Sequence, residues 1–172
     1  MAVNVSARQF RQKTFLKTVV DALERYGVAP ECLELEITET LLMDATRDVE
    51  TTLTKLDALG IRLALDDFGT GYSSLAYLKR FPVDLVKIDR SFVKDLPGDE
   101  SSGAIIAAII AMSHALHKSV LAEGVAEPEQ LVFLRRLGCD MIQGFDLSRP
   151  LCAPDLEAFL RSASAAPAAR AA

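Results

Sequence analysis

The sequence predicts an α/β fold in which parallel strands alternate with helices, and within that class an incomplete (β/α)8, TIM-barrel-like sheet. Short β-branched runs alternate with helical patterns without hairpin turns, which favours parallel strands joined by right-handed crossovers. Polar residues stand near the end of each run, where catalytic groups converge in a barrel. About six strands are found in 172 residues, whereas a complete barrel has about eight strands and about 250 residues. The sequence therefore predicts a barrel that lacks its opening section.

The strands are predicted from short apolar runs rich in β-branched residues. They cover Val3–Val5, Leu33–Thr38, Ile61–Asp66, Asp84–Ile88, Ser119–Glu123 and Asp140–Ile142. Apolar residues at helical spacing predict the helices that connect the strands. These helices cover Gln9–Arg25, Arg47–Leu59, Ser74–Lys79, Ser102–His117 and Glu127–Leu137, and a last helix covers Pro154–Arg161. Each helix has an apolar stripe that can lie on the sheet.

The composition predicts one domain followed by a tail. Half of the residues are apolar and a quarter are charged, so residues 1–161 can bury a sizeable core. Residues 162–172 are rich in Ala, Ser and Pro, offer little to bury, and are predicted to be disordered. Cys32, Cys139 and Cys152 are isolated, which predicts small buried side chains in a reducing compartment.

Charge and hydropathy exclude several classes of function. The net charge of -5 argues against a nucleic-acid-coating protein, so no DNA partner is expected. The first residues do not form a secretion signal, and the longest apolar run, Ala104–Met112, is about half as long as a membrane span. The expected location is the cytoplasm, without a membrane contact by this segment. A phosphorylated ligand would have to be held by local chemistry.

Polar residues follow the predicted strands at the carboxyl end of each one. These residues are Asn4, Glu36, Asp66 with Asp67, Lys87, Glu123 and Gln143. In a barrel the carboxyl ends form one rim, whereas an open doubly wound sheet spreads them along an edge. Asp66 and Asp67 are consecutive, and neighbouring strand residues normally face opposite sides. A shared site therefore requires a strand end or a β-bulge at this pair.

The donor atoms at these positions favour hard divalent metals. One amide oxygen and four carboxylates are ligands of the kind that Mg²⁺ and Mn²⁺ prefer, namely Asn4, Glu36, Asp66, Asp67 and Glu123. Two such ions about 3.5 to 4 Å apart stabilise both ends of an in-line phosphoryl displacement, and Asp66 is the natural bridge. Lys87 can position the attacking water or neutralise charge on phosphate oxygens. An alternative from another enzyme class makes Lys87 the Schiff-base lysine of an aldolase-like barrel.

Six short motifs follow one another along the chain. They are Asn4-Val5-Ser6, Glu36-Ile37-Thr38-Glu39, the ten residues from Asp66 to Leu75 (Asp-Asp-Phe-Gly-Thr-Gly-Tyr-Ser-Ser-Leu), Lys87-Ile88-Asp89, Ala122-Glu123-Gly124-Val125 and Gln143-Gly144-Phe145. In order and spacing they resemble the EAL-domain family over roughly residues 1 to 161. The resemblance implies a modified (β/α)8 barrel that hydrolyses cyclic di-GMP to pGpG with two Mg²⁺ or Mn²⁺ ions.

The resemblance also implies a role for each site residue. Asn4, Glu36 and Asp66 would bind the first metal, and Asp66, Asp67 and Glu123 the second. The catalytic residues would be Lys87 and Gln143, which hold the water, with Glu123 or Lys87 assisting its deprotonation. Glu39 would anchor the loop from Asp67 to Ser74, which in the family links the substrate site to a dimer interface. The implied partners are cyclic di-GMP, a second copy of the chain, and an upstream sensor or GGDEF-type domain.

The chain departs from the family pattern in two places. The Glu-Ala-Leu motif that names the family lies on an earlier strand and has no equivalent in this sequence, so one ligand of the first metal is absent. Ala126 stands where a second glutamate is common. These departures predict an amino-terminally truncated domain with impaired turnover. They also leave open a degenerate relative that binds cyclic di-GMP or a protein without catalysis.

Overall fold

A computed structural model describes residues 1–43, 46–69 and 75–165 of the chain. Its sheet has six strands in the order of the sequence, and each strand pairs in parallel with the next. The strands are β1 (Ala2–Asn4), β2 (Glu34–Thr38), β3 (Arg62–Phe68), β4 (Leu85–Ile88), β5 (Ser119–Glu123) and β6 (Met141–Gln143). The sheet curls into a half-barrel. The prediction of an incomplete TIM-barrel-like α/β fold is confirmed.

Nine helices are found in the described ranges, most of them on the crossovers between strands. They are α1 (Ala7–Phe10), α2 (Phe15–Tyr26), α3 (Glu39–Met43), α4 (Arg47–Ala58), α5 (Leu75–Arg80), α6 (Arg90–Val93), α7 (Glu100–Ala115), α8 (Pro128–Arg136) and α9 (Ala153–Ala165). The short helices α3 and α6 were not predicted from the sequence. Each follows directly at the carboxyl end of a strand, where the chain turns away from the sheet.

The prediction of one helix over Gln9–Arg25 is wrong, because two helices occupy this region. Ser6 and Gln9 form a capping box that starts α1, and that helix ends after a single turn. Phe10 is then buried and packs against Phe15, with ring centroids 5.0 Å apart. This packing redirects the chain before α2 begins. Helical periodicity alone did not reveal the interruption.

Two further predictions need correction or stay untested. Helix α9 continues to Ala165 rather than ending at Arg161, and residues 166–172 of the predicted tail lie outside the described residues. Cys32 and Cys152 are exposed and Cys139 is half-buried, so the prediction of buried cysteines is wrong. Cys32 and Cys152 stand on connections next to β2 and α9, where the main core does not cover them.

Both faces of the central strands are buried. Leu63, Ala64 and Leu65 of β3 are at most 1% exposed, and all four residues of β4 are buried. This pattern is typical of parallel strands that have helices on one side and packed side chains on the other. Lys87 lies within β4, so its ammonium group sits in the interior of the half-barrel. Among the described helices, none is long and apolar enough to span a membrane.

Two aspartates stabilise the amino-terminal edge of the sheet. The Oδ2 atom of Asp84, just before β4, accepts a hydrogen bond of 2.8 Å from the backbone N–H of Leu63. In the same way, Oδ2 of Asp140, just before β6, accepts one of 2.8 Å from the N–H of Val120. Each carboxylate therefore binds the neighbouring strand near its start and helps to fix the register between the two strands.

Candidate active site

A buried lysine stands at the centre of the acidic residues from three other strands. The Nζ atom of Lys87 lies 2.8 Å from Oε1 of Glu36, 2.9 Å from Oδ1 of Asp66 and 2.7 Å from Oε1 of Glu123. The side chain of Lys87 is only 4% exposed. The carboxyl ends of β2, β3, β4 and β5 thus bring their polar residues together, as a barrel rim does.

The environment of Lys87 keeps its ammonium group protonated. Burial is the largest single influence and favours the neutral amine, but the hydrogen bonds that Lys87 donates to Glu123, Glu36 and Asp66 together outweigh it and raise the pKa of Lys87. A Schiff-base lysine must present a neutral amine to its carbonyl substrate. The contacts of Lys87 therefore argue against the aldolase-like alternative.

A β-bulge brings Asp67 to the same site as Asp66. The register between β3 and β4 shifts between Leu65 and Phe68, and Asp67 has a left-handed backbone with φ of 55°. Non-glycine residues adopt this conformation infrequently, and aspartate does so more readily than most. The β-bulge that the sequence predicted at Asp66 and Asp67 is therefore present. One carboxylate oxygen from each of Asp66, Asp67 and Glu123 lies within 4.8 Å of the others.

The acidic cluster carries more negative charge than Lys87 compensates. Four carboxylates, those of Glu36, Asp66, Asp67 and Glu123, face one ammonium group, which leaves three formal negative charges. Burial, followed by the charge of Asp66, raises the pKa of Asp67. Burial also raises the pKa of Glu123, although Lys87 opposes the effect. Hard oxygen donors with excess negative charge are the ligand set that a divalent cation requires, so the residues present fit such an ion.

The other predicted residues lie around this cluster. Asn4 is exposed on β1, directly opposite Glu36 in the register. Gln143 is exposed on β6, directly opposite Glu123. Glu39 is buried as the first residue of α3. The loop that it is predicted to anchor includes residues 70–74, which lie outside the described residues, so its role stays a prediction.

Two glycines let the backbone pass close to neighbouring groups directly after β5 and β6, and this role was not predicted from the sequence. A Cβ atom on Gly144 would lie 1.9 Å from the backbone oxygen of Val125, and one on Gly124, where φ is 72°, would lie 2.3 Å from Cγ of Arg90. The backbone of Val125 is hydrogen-bonded to Gln143 O and to Asp146 N, both at 3.1 Å. The sequence did carry a signal for this role, because a glycine directly follows each of the polar residues Glu123 and Gln143.

A cavity of about 440 Å³ opens beside Gln143. Its walls include Arg90, Phe145 and Arg149, and the Arg149 guanidinium stacks over the Phe145 ring at 5.4 Å. Phe145 is 62% exposed. The cavity therefore adjoins the rim and offers cationic and aromatic groups next to the acidic cluster.

The fold and this rim define a barrel-type domain with an acidic, lysine-centred site. The EAL domain family matches residues 1–150, so the chain belongs to that family. NbdA of Pseudomonas aeruginosa, named a cyclic di-GMP phosphodiesterase, is 48% identical over 162 residues, which are 94% of this chain and 21% of NbdA. The chain spans about a fifth of the length of the curated relatives it matches.

Solved structures of related proteins show the same fold. The PaMucR phosphodiesterase in complex with c-di-GMP has a TM-score of 0.86 and 44% identity, over 90% of this chain and 63% of that one. BlrP1 of Klebsiella pneumoniae, in a complex with manganese and cyclic di-GMP, has a TM-score of 0.80 and 33% identity, over 87% of this chain and 38% of BlrP1. Related domains thus bind cyclic di-GMP, one of them together with a divalent metal.

Proposed function

We propose that this chain carries the catalytic rim of a cyclic di-GMP phosphodiesterase, which hydrolyses the cyclic dinucleotide to pGpG. The observation that carries the proposal is the convergence of Glu36, Asp66 and Glu123 on Lys87, with Asp67 added by the bulge. The relatives named phosphodiesterases and the complexes with cyclic di-GMP support this substrate. The activity of this particular chain is part of the proposal.

The proposed cofactors are two Mg²⁺ or Mn²⁺ ions. Asp66, Asp67 and Glu123 would hold one ion, because their oxygens already lie close together. Asn4, Glu36 and Asp66 would hold the other, with Asp66 shared between the two. When bound, such ions activate water and stabilise charge on the attacking and leaving oxygens of an in-line phosphoryl displacement.

The remaining steps belong to side chains of the rim. Lys87, held as an ammonium group by its three carboxylate partners, donates hydrogen bonds and neutralises charge on a phosphate oxygen. A protonated lysine cannot accept a proton, so Glu123 is the group that assists deprotonation of the water. Gln143, opposite Glu123 in the register, orients that water through its amide. Glu39 would keep the Asp67 to Ser74 loop in place.

Turnover is expected to be impaired in this chain without the rest of the barrel. The first metal site would lack an anionic ligand, and Asn4 lies exposed on the outermost strand β1. A second candidate function is binding of cyclic di-GMP without hydrolysis. It is favoured by Ala126, which stands where a second glutamate is common in the family.

A completed barrel tests the proposal and separates the two candidates. The amino-terminal section of the MucR phosphodiesterase domain is joined to residue 1, and conversion of cyclic di-GMP to pGpG is followed with Mg²⁺ or Mn²⁺. We expect turnover in the chimera, little in the 172 residues alone, and inhibition by Ca²⁺, which tolerates a looser coordination geometry. Binding without turnover in the chimera would support the non-catalytic candidate.

The Asp66→Asn variant of the chimera tests the metal core directly. The variant removes a charge that both metals would share, so we expect turnover to fall by at least about a thousandfold, equivalent to about 4 kcal/mol in the barrier. Asp84→Asn is the matched control, because it makes the same change on the opposite edge of the same sheet and should retain turnover. Full activity of Asp66→Asn would remove the metal core from the proposal.

Three finer points complete the proposal. The chain is proposed to form a homodimer. It is also proposed to work behind an upstream sensor or GGDEF-type domain. The name of MucR, a bifunctional diguanylate cyclase and cyclic di-GMP phosphodiesterase, suggests such a second domain for that relative. The cytoplasm is the proposed location, supported by three cysteines that form no disulfide. The domain is proposed to end near residue 161, followed by the alanine-rich tail.

A further inference from the structure

The cavity beside Gln143 differs in charge from the chain that surrounds it. The sequence carries 24 acidic and 19 basic residues, yet the described residues that line this cavity include two arginines and no aspartate or glutamate. The arginines are Arg90 and Arg149, and the rings of Phe145 and Phe159 stand on the same walls. A volume of about 440 Å³ is within the range of small-molecule sites. The cavity therefore suits a flat ligand that presents hydrogen-bond acceptors.

Both arginines are positioned by packing rather than by carboxylates. The stem of Arg90 lies directly on Gly124, where an added Cβ atom would overlap the Cγ atom of the arginine. The guanidinium of Arg149 stacks over the Phe145 ring, with 5.4 Å between Cζ and the ring centroid. In the part of the chain that the structure describes, neither arginine forms an ion pair. Their hydrogen-bond donors are therefore available to a ligand in the cavity.

Guanidinium donors select one edge of a purine base. A guanidinium group has five donors and no acceptor, and it binds O6 and N7 of guanine in a bidentate way. Adenine carries an amino group in place of O6, so that a donor would face a donor. An exposed aromatic ring such as Phe145 stacks on the face of either base. The cavity therefore favours a 6-oxopurine over adenine.

The wall at Ala126 carries no carboxylate for the other edge of the base. Guanine donates hydrogen bonds from N1 and from its 2-amino group, and a carboxylate, which only accepts, is the matching partner. Ala126 lines the cavity with a methyl group instead. The next residue, Glu127, forms the capping box of α8 with Gln130. The Oε1 atom of Gln130 accepts the backbone N–H groups of Ala126 and Glu127 at 2.9 and 3.1 Å. These acceptors therefore serve the start of α8.

We propose that this cavity binds one base of a cyclic purine dinucleotide by its O6 and N7 edge and does not read the 2-amino group. Arg90 and Arg149 supply the donors, and Phe145 supplies the stacking face. Hypoxanthine, which has O6 and N7 but lacks the 2-amino group, is then accepted as well as guanine, whereas adenine is rejected. This inference rests on the proposed function, because it takes the ligand of the rim to be a cyclic dinucleotide.

Calorimetric titration with three cyclic dinucleotides tests the base selectivity. The ligands are cyclic di-GMP, its inosine analogue cyclic di-IMP, and cyclic di-AMP. The chain is used alone, because an added amino-terminal section could contribute contacts of its own. We expect the dissociation constants of the first two ligands to agree within about threefold, and cyclic di-AMP to bind at least about tenfold more weakly.

Three outcomes would overturn the proposal. They are a larger gap between cyclic di-GMP and cyclic di-IMP, equal binding of cyclic di-AMP, and a chain that binds none of the three ligands. The phosphodiesterase proposal is decided separately, by turnover of cyclic di-GMP in the completed barrel. A chimera that turns over cyclic di-GMP, together with a chain that shows the wrong selectivity, would therefore reject this inference alone.

Arg90→Gln tests the donor role. Glutamine keeps part of the stem that packs on Gly124 but removes the charged fork, so cyclic di-GMP and cyclic di-IMP should bind at least about tenfold more weakly, with little change for cyclic di-AMP. An arginine that only attracts the phosphates would weaken all three ligands equally when replaced, and that result would contradict the proposal. Arg136→Gln is the matched control. It removes the same charge from the exposed last turn of α8, outside the cavity, and should leave all three dissociation constants unchanged.

Ala126→Glu supplies the acceptor that the cavity wall lacks. Ala126 is exposed, so a glutamate fits at this position, and an unchanged melting temperature would show that the fold is retained. We expect cyclic di-GMP to gain at least about fivefold in affinity relative to cyclic di-IMP, because only guanine has the 2-amino group that the new carboxylate accepts. An unchanged ratio of the two dissociation constants would contradict the proposed orientation of the base.

Discussion

The two edges of the sheet both place acidic residues at strand ends, but they satisfy them in opposite ways. At the amino-terminal edge, Asp84 and Asp140 each accept a backbone N–H of the neighbouring strand. At the carboxyl-terminal rim, Glu36, Asp66 and Glu123 instead gather around Lys87. One edge uses carboxylates to fix strand register, whereas the other concentrates charge in a buried place.

This difference separates a structural role from a functional one. A carboxylate that binds a backbone amide stabilises the fold without any further ligand. Carboxylates that face one another repel, and burial increases the cost of that repulsion. A protein tolerates such a cluster where the charge serves a ligand, and perturbed groups of this kind mark functional sites. Of the two edges, the carboxyl-terminal rim is therefore the one whose stability depends most on a cation, the ammonium group of Lys87.

The largest effect is expected from Lys87→Met, which removes that cation. The variant leaves the buried carboxylate of Glu36 and the half-buried carboxylates of Asp66 and Glu123 without their partner, and breaking a buried ion pair from one side costs about 3 to 5 kcal/mol. We expect the free energy of unfolding, measured by urea denaturation, to fall by that amount. Added Mn²⁺ should recover part of the loss, since a divalent ion can replace the missing positive charge.

Lys17→Met provides the control for this loss. Lys17 pairs with Asp21 on the surface of α2, where both side chains are more than half exposed, and an exposed pair contributes about 0 to 1 kcal/mol. Equal losses in the two lysine variants would show that the rim carboxylates do not depend on Lys87. The comparison between the two edges would then lose its energetic basis.

The next effect concerns binding of Mn²⁺ to the chain as it stands. We expect one weak site at Asp66, Asp67 and Glu123, because the other site would lack an anionic ligand. At a concentration about fivefold above its dissociation constant, an ion that binds only the folded chain stabilises it by about 1 kcal/mol. The shift in melting temperature with Mn²⁺ measures this stabilisation, and calorimetric titration gives the number of sites.

Asp67→Asn should abolish most of that shift, whereas Asp84→Asn should retain it. Both variants replace one carboxylate by an amide on the same sheet, and only the first lies at the rim. Two tight sites on the unmodified chain would contradict the assignment of its ligands. A shift that survives Asp67→Asn unchanged would exclude this residue from the site.

The sequence predicted those features of the rim that follow from local pattern. Strand ends, hydrophobic runs and the polar residues after them indicated the six strands and their order. The adjacent carboxylates of Asp66 and Asp67 required a bulge, and the left-handed Asp67 supplies it. The six motifs by themselves indicated the family, and the match over residues 1–150 confirms it.

The features that sequence missed depend on contacts between distant residues. The break between α1 and α2 arises from the packing of Phe10 on Phe15, which the helical periodicity of the segment does not reveal. Lys87 binds three carboxylates at once because the curvature and register of the sheet bring them together. The role of Asp84 and Asp140 was missed for the same reason, because each accepts a hydrogen bond from a strand about 20 positions earlier in the sequence.

The smallest effect should come from the amino-terminal edge, and its dependence on pH gives it a distinct signature. Burial works to raise the pKa of Asp140, but hydrogen bonds from His114 and from the N–H of Val120 outweigh it and leave the pKa below its usual 3.8. A carboxylate with a lowered pKa adds stability above its ordinary value, and this stability is lost as the pH falls through the lowered pKa. Asp140→Asn should therefore cost about 0.5 kcal/mol near neutral pH, a small amount because the group is partly exposed. Urea denaturation near neutral pH and well below 3.8 measures both differences, and the gap between parent and variant should close in acid. A gap that stays constant over this range would mean that the carboxylate charge contributes nothing at this edge.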